Sequence, residues 1–249
     1  MIGYERRGRV GILRMQHGKA SALDLEFCNA LAERFRGLAA DPAEAFVLTG
    51  TGGIFSAGVD LLRLRDGGEQ YVRAFVAALE PLFAAQVRAS KPVVAAVNGH
   101  AIAGGCILAL GCDRRLMAEG KGTMGVAELR VGVPFPPVAL EIVRAAAAPA
   151  VFRSLVLTGQ PVDAAGALRD GLVDGLCPAE SLLDRAVEEA ERLASIPPVS
   201  FAIAKRQAFE GVLRVLGDAP VGAAEVRAAW IDPSVRDAVA AFVRRTLKR

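Results

Sequence analysis

Hydrophobic and polar positions change period several times along the chain, and each change predicts an element. Val93 to Val97 is small or β-branched with no alternation of polarity, the pattern of a strand covered on both faces, and Ala45 to Thr49 is another short β-branched strand. Tyr4 to Arg9 and Val10 to Met15 predict two short strands around Arg7-Gly8-Arg9, an edge hairpin with its charges outside. Phe27, Leu31, Phe35 and Leu38 recur at helical spacing between Asp24, a predicted N-cap, and the stop at Asp41-Pro42. Arg63 to Gly68 is polar and glycine-containing, which predicts a mobile loop; Glu69 to Ala89 has helical period, with Pro81 expected to kink or divide it. Arg115 to Ala118 and Val173 to Cys177 are further predicted strands. Pro137 to Ala147, Ala150 to Leu157, Asp163 to Arg169 and the amphipathic Ser181 to Ile196 are predicted helices. Pro197-Pro198 marks a hinge, after which Val199 to Glu210, Val221 to Trp230 and Ser234 to Leu247 predict a helical C-terminal part.

Composition narrows the class. With 249 residues, 53% of them hydrophobic, the chain can bury a large core and is too apolar for disorder. Its 30 basic and 27 acidic residues nearly balance at +3, and no basic run supports a nucleic-acid partner. The longest low-polarity run is broken by Asn98 and His100, short of the roughly twenty residues a membrane span needs, so no membrane partner is expected. The N-terminus MIGYERRGRV lacks an apolar signal core, which predicts a cytoplasmic protein. Cys28, Cys106, Cys112 and Cys177 form no CxxC and have no histidine at ligand spacing; they read as buried free thiols, and no metal site is expected.

Three stretches carry candidate chemistry. Lys91 to Cys112 joins the strand at Val93, a turn at Asn98-Gly99 and the pair Gly104-Gly105 ahead of the apolar helical segment Cys106 to Leu110. Such a helix start presents unsatisfied backbone N–H groups to an anion or oxyanion; alternatively, the glycines only let the helix pack closely on the sheet. In Thr49 to Asp60, TGTGGIFSAGVD, Ala57 and Gly58 are small enough to let a ligand approach the main chain, and Asp60 can cap a helix begun by Leu61 and Leu62. Glu128 lies between Val126, Ala127 and Leu129, where lost hydration would raise its pKa toward neutrality; the other reading is a surface glutamate beside Arg130. His17 and His100 read as structural, since spacing suggests no Asp or Ser partner for either.

The pairing of FSAGVD with NGHAIAGGC about forty residues later resembles the enoyl-CoA hydratase/isomerase (crotonase) superfamily, over nearly the whole length. The resemblance implies an α/β crotonase-like (ClpP/crotonase) ββα spiral core over residues 1–196. Residues 197–249 would form a helical part that covers the active site and builds a homotrimer or dimer of trimers. It implies an acyl-CoA thioester substrate, with coenzyme A carried by the substrate and no separate cofactor. The backbone N–H groups of Val59 and Gly104 would hold the thioester oxygen. Lys19 and Ala20, on the loop ahead of the first helix, would run along the adenine and pantetheine, and Ala57, Gly58, Val59, Asp60, Leu61 and Gly104 would make up the rest of the binding segment. Glu128 would be the catalytic acid, because MGVAE stands where the family has FGxPE-type segments.

One departure bears on the reaction. Hydratases of the family hold water between two glutamates, the first directly after the GGGC segment, and here that position is Ile107. An aliphatic side chain neither orients nor deprotonates water. AGGC followed by an aliphatic residue, and the stretch VGVPFPPVAL, are similar to the isomerase branch, so an enoyl-CoA isomerase is the expectation. The alternatives are a hydratase with an atypical site, a decarboxylase or thioesterase on the same hole, and a non-catalytic CoA-binding homologue.

Overall fold

The chain builds its core by repeating one unit three times: a strand, a second short strand in another sheet, then a helix. The computed structural model describes residues 1–217 and 222–246. A hairpin, β1 (Ile2–Arg7) and β2 (Val10–Met15), precedes α1 (Leu25–Gly37). The first unit is β3 (Ala45–Thr49), β4 (Ile54–Ser56) and α2 (Leu61–Asp66), followed by the long α3 (Gly68–Arg88). The second is β5 (Val93–Val97), β6 (His100–Ile102) and α4 (Gly104–Leu110). The third is β7 (Arg114–Ala118), β8 (Thr123–Gly125) and α5 (Glu128–Val131). Then come α6 (Pro137–Ala146), α7 (Pro149–Thr158), β9 (Val162–Asp163), α8 (Ala164–Arg169), β10 (Gly175–Cys177) and α9 (Leu182–Ala194). The C-terminal part holds α10 (Pro198–Ala208), α11 (Glu210–Gly217), α12 (Ala223–Ala229) and α13 (Pro233–Thr246).

The first strands of the units join a six-stranded sheet of order β1-β2-β3-β5-β7-β10, parallel except for the β1–β2 hairpin. Their second strands form a four-stranded sheet, β4-β6-β8-β9. Strand β5 shows why its sequence has no polar face. Val93, Ala95 and Val97 enter the main core with Phe27, Phe46 and Phe83, while Val94 and Ala96 enter a second core under Ala186 and Ala190 of α9. Side chains alternate faces along a strand, and here both faces are covered. Each fully buried phenylalanine or valine contributes about 1.5–3 kcal/mol.

The Asn98-Gly99 turn ties two units together. Asn98 Oδ1 accepts from Gly50 N at 2.9 Å and its Nδ2 donates to Gly52 O at 2.8 Å. A Cβ on Gly99 would lie 1.8 Å from Gly53 O, so no larger residue fits.

The structure departs from the sequence reading in several places. Arg63 to Asp66 is not a loop but continues α2, because Asp60 Oδ1 caps the N–H groups of Leu62 and Arg63, Leu64 is buried, and Arg63 pairs with Glu26. Pro81 does not divide α3; it sits on the exposed side while Leu79, Leu82 and Phe83 bury the other. His100 belongs to strand β6 rather than to the turn, and the strand predicted from Val173 shortens to Gly175–Cys177. A separate helix, α11, follows α10. The predicted start at Val221 and end at Leu247 of two C-terminal helices lie outside the described residues. Among the described residues, no helix is long and apolar enough to cross a membrane.

Candidate active site

The strand-to-helix junctions of the three units carry Val59, Gly104 and Glu128; Val59 and Glu128 line one cavity, which Ala103 rather than its neighbour Gly104 lines from the second junction. At the first, the loop before α1 lies alongside residues 56–60. Ser56 Oγ donates to Ser21 O (2.7 Å), Ala57 N to Ala20 O (3.0 Å), Leu23 N to Gly58 O (2.7 Å) and Asp60 N to Leu23 O (2.9 Å). Leu23 and Val59 thus form an isolated parallel bridge. Because Leu23 engages the groups on either side of Val59, the N–H of Val59 itself points away from that bridge. Gly58 is held at φ +77°, and a Cβ there would lie 2.5 Å from Ile102 O and 3.1 Å from Gly104 N. Its bareness lets the first two junctions meet.

The second junction turns on Ala103, a non-glycine residue at φ 51° and ψ −126°. Such a conformation costs on the order of 1–3 kcal/mol. Its N–H is anchored to Gly125 O at 2.8 Å, and α4 begins immediately after with Gly104 N as its leading donor. Of the two glycines, Gly105 answers the packing reading, since a Cβ there would lie 2.3 Å from Ser56 O. A Cβ on Gly104 would lie 2.7 Å from Leu23 Cδ1 and 4.0 Å from the Cα of Gly58.

The third junction overturns the surface reading of Glu128. It opens α5 at 4% exposure, and its Oε2 is buried with no hydrogen-bond partner among the described residues. Burial pushes its pKa up to about 8. It faces a cavity of about 90 Å³ that Ala57, Val59, Leu61, Ile102, Ala103 and Val131 also line. Among the described lining residues, Glu128 is the one ionisable group, and so the one able to gain or lose a proton there.

Other predicted residues separate. Asp60 turns outward to cap α2. Lys19 is exposed on the loop beyond the cavity, and Ala20 contributes its carbonyl to the first junction. Ile107 lies one turn into α4, 2% exposed in the main core. The sequence reading missed Val133, Trp230 and Phe242, which close the cavity from outside the three units. For Trp230 and Phe242 the available signal was the resemblance, which placed residues 197–249 over the active site without saying which side chains would face it. It also missed an acidic partner for His17: Nε2 lies 2.7 Å from Asp24 Oδ2 and the ring stacks on Phe27 at 4.8 Å. His100 is structural as read, its Nδ1 accepting from Thr123 N at 3.2 Å. All four cysteines are free and buried. Among the described residues, no cluster of His, Cys, Asp or Glu could hold a metal ion.

Residues 5–239 match the family model described as enoyl-CoA hydratase/isomerase. A putative enoyl-CoA hydratase of Thermus thermophilus is 37% identical over 192 residues, 75% of this chain and 75% of the relative. The mitochondrial enoyl-CoA hydratase of Pongo abelii is 32% identical over 219 residues, 84% of this chain and 74% of that one. In fold, the human mitochondrial delta3-delta2-enoyl-CoA isomerase superposes with a TM-score of 0.91 at 22% identity, over 98% of this chain and 97% of that one. A Mycobacterium tuberculosis protein, named an enoyl-CoA isomerase in one solved structure and a probable enoyl-CoA hydratase in another, superposes with TM-scores of 0.77 and 0.80 at 26% identity, over 96% and 99% of this chain and 97% and 98% of those. Matched over nearly its whole length, the chain belongs to the enoyl-CoA hydratase/isomerase family and has the crotonase fold.

Proposed function

We propose that this enzyme is an enoyl-CoA isomerase, moving a double bond of an acyl-CoA thioester from the β,γ to the α,β position. The observation that carries the reading is a single carboxyl, Glu128, desolvated in a cavity whose other lining side chains bring no second acid. Its carboxylate removes a proton from the α-carbon. The electron pair spreads through the double bond to the thioester oxygen, where the N–H groups of Val59 and Gly104 stabilise the charge. Glu128 then returns the proton to the γ-carbon, leaving the double bond conjugated with the carbonyl. One such donor is worth about 3–4 kcal/mol in the transition state. Ala20 and Lys19 flank the route of the coenzyme A portion, and assembly as a homotrimer or dimer of trimers is part of the same reading.

Hydration is the second reading, favoured by the names of the relatives from Thermus thermophilus and Pongo abelii. A hydratase needs a water held and activated from both sides. Ile107, buried in the apolar core, supplies no such group. The deciding experiment presents β,γ- and α,β-unsaturated acyl-CoAs in parallel. Rapid conversion of the β,γ compounds with slow hydration of crotonyl-CoA is the expected outcome. Hydration faster than isomerisation would replace this reading with the second.

A further inference from the structure

Two cavities in this molecule share one wall. The cavity at Glu128 measures about 90 Å³; a second, of about 350 Å³, has an apolar floor of Leu64, Val72 and Val239 and a rim that includes exposed Arg65 and Arg236. Trp230 and Val133 line both. Trp230 is 3% exposed, and its ring meets Phe75 of α3 edge-on, centroids 6.2 Å apart. Phe75 is itself 1% exposed, so the indole is braced by the main core and cannot swing without displacing it. The indole Nε1 is buried with no hydrogen-bond partner among the described residues. Packing against Phe75 therefore sets the ring where it stands.

Resting on the acyl-CoA chemistry proposed above, we propose that Trp230 is the specificity-determining residue for acyl-chain length, a plug that confines the substrate to short chains. The inner cavity, about 90 Å³ against about 350 Å³ for the outer cleft, is much the smaller and suits short acyl groups. The outer cleft offers room for a longer tail, but the indole and the Val133 side chain stand between.

Chain length is read by binding of saturated butanoyl-, hexanoyl- and decanoyl-CoA, none of which can isomerise. Trp230 is the only tryptophan in the chain, so wild-type fluorescence reports on the plug directly, with calorimetry for the variants. Wild-type protein should bind hexanoyl-CoA at least about tenfold more tightly than decanoyl-CoA, the range over which pocket size discriminates chains. In Trp230→Ala that preference should disappear or reverse. Trp230→Leu and Val133→Ala, which remove less of the core, should shift it in the same direction. Equal affinity of the wild type for hexanoyl- and decanoyl-CoA would overturn the proposal. So would an unchanged preference in any of these variants with a native circular dichroism spectrum. Because the probes are unreactive, failure of the isomerase assay on every chain length would refute the proposed reaction and leave this measurement standing.

Discussion

Asp24 and Glu128 each expose only 4% of their surface, yet their surroundings drive ionisation in opposite directions. Burial works against the charge of Asp24, but hydrogen bonds from His17 and Phe27 N and the nearby Arg63 outweigh it and hold the carboxyl below its usual range. Glu128 has no such company; burial goes unanswered and lifts it to about 8. Asp24 keeps its charge through polar partners in a shallower setting, whereas Glu128 lies deeper and has none among the described residues. Asp24 joins the N-terminus of α1 to Arg63 of α2 and so braces the Leu23–Val59 bridge from outside. Glu128 is left without a polar partner among the described residues, at a cavity that non-ionisable side chains otherwise line.

Removing the reactive carboxyl should have the largest effect. Glu128→Gln should lower isomerisation about 10³-fold with little change in KM, measured on a β,γ-enoyl-CoA, since general acid–base groups contribute 10²–10⁴-fold. A retained rate would make the contrast with Asp24 irrelevant to chemistry. Next is the main-chain side of the site. Gly58→Ala would set a methyl group 2.5 Å from Ile102 O at a backbone φ of +77°. The two donor segments must then separate, and kcat should fall about 10²-fold, near the loss of one oxyanion donor.

Asp24→Ala should act on stability instead. It removes an N-cap and leaves His17 and Arg63 without their shared partner, a loss of about 2 kcal/mol by urea denaturation. Its contribution has a definite pH sign. A carboxylate held low stabilises the fold above its unfolded value of 3.8 and stops doing so as pH falls through its lower folded value.

The smallest effect reverses that sign. Between 4.5 and about 8 the folded protein keeps a proton on Glu128 that the unfolded chain has released, so this residue lowers stability as pH rises through that window. Glu128→Gln removes the slope, and its Tm relative to wild type should be higher by a few degrees at pH 9 than at pH 5. The same carboxyl predicts that wild-type kcat/KM climbs with pH and levels off above about 8, as the base form fills.

Much of the framework was legible. Ala45–Thr49 and Val93–Val97 have the predicted bounds because an unbroken run of β-branched and small residues has few other uses. Asp24 and Asp60 cap the helices they precede, since capping is settled within three residues. The three-residue strands β4, β6 and β8 were not legible: segments so short carry too little period, and only pairing with one another makes them a sheet. Arg63–Asp66 reads as loop because its anchors, Glu26 and Tyr71, come from other elements. For Glu128, local residues fitted a surface position as well as a buried one, and the family resemblance, not composition, favoured the latter.

The amino-acid sequence alone determined most of the longer strands and helices, where bare backbone allows close approach, and the family that the motif pair Thr49 to Asp60 and Lys91 to Cys112 marks. These follow from interactions among neighbours, which a linear string contains in full. Tertiary structure alone decided that Glu128 would lose its water, that His17 would meet Asp24, and that Trp230 would close the far side of the cavity. Each of those outcomes depends on which distant surface is brought against the residue. Desolvation is a property of the packed assembly, set when the last layer of side chains excludes solvent.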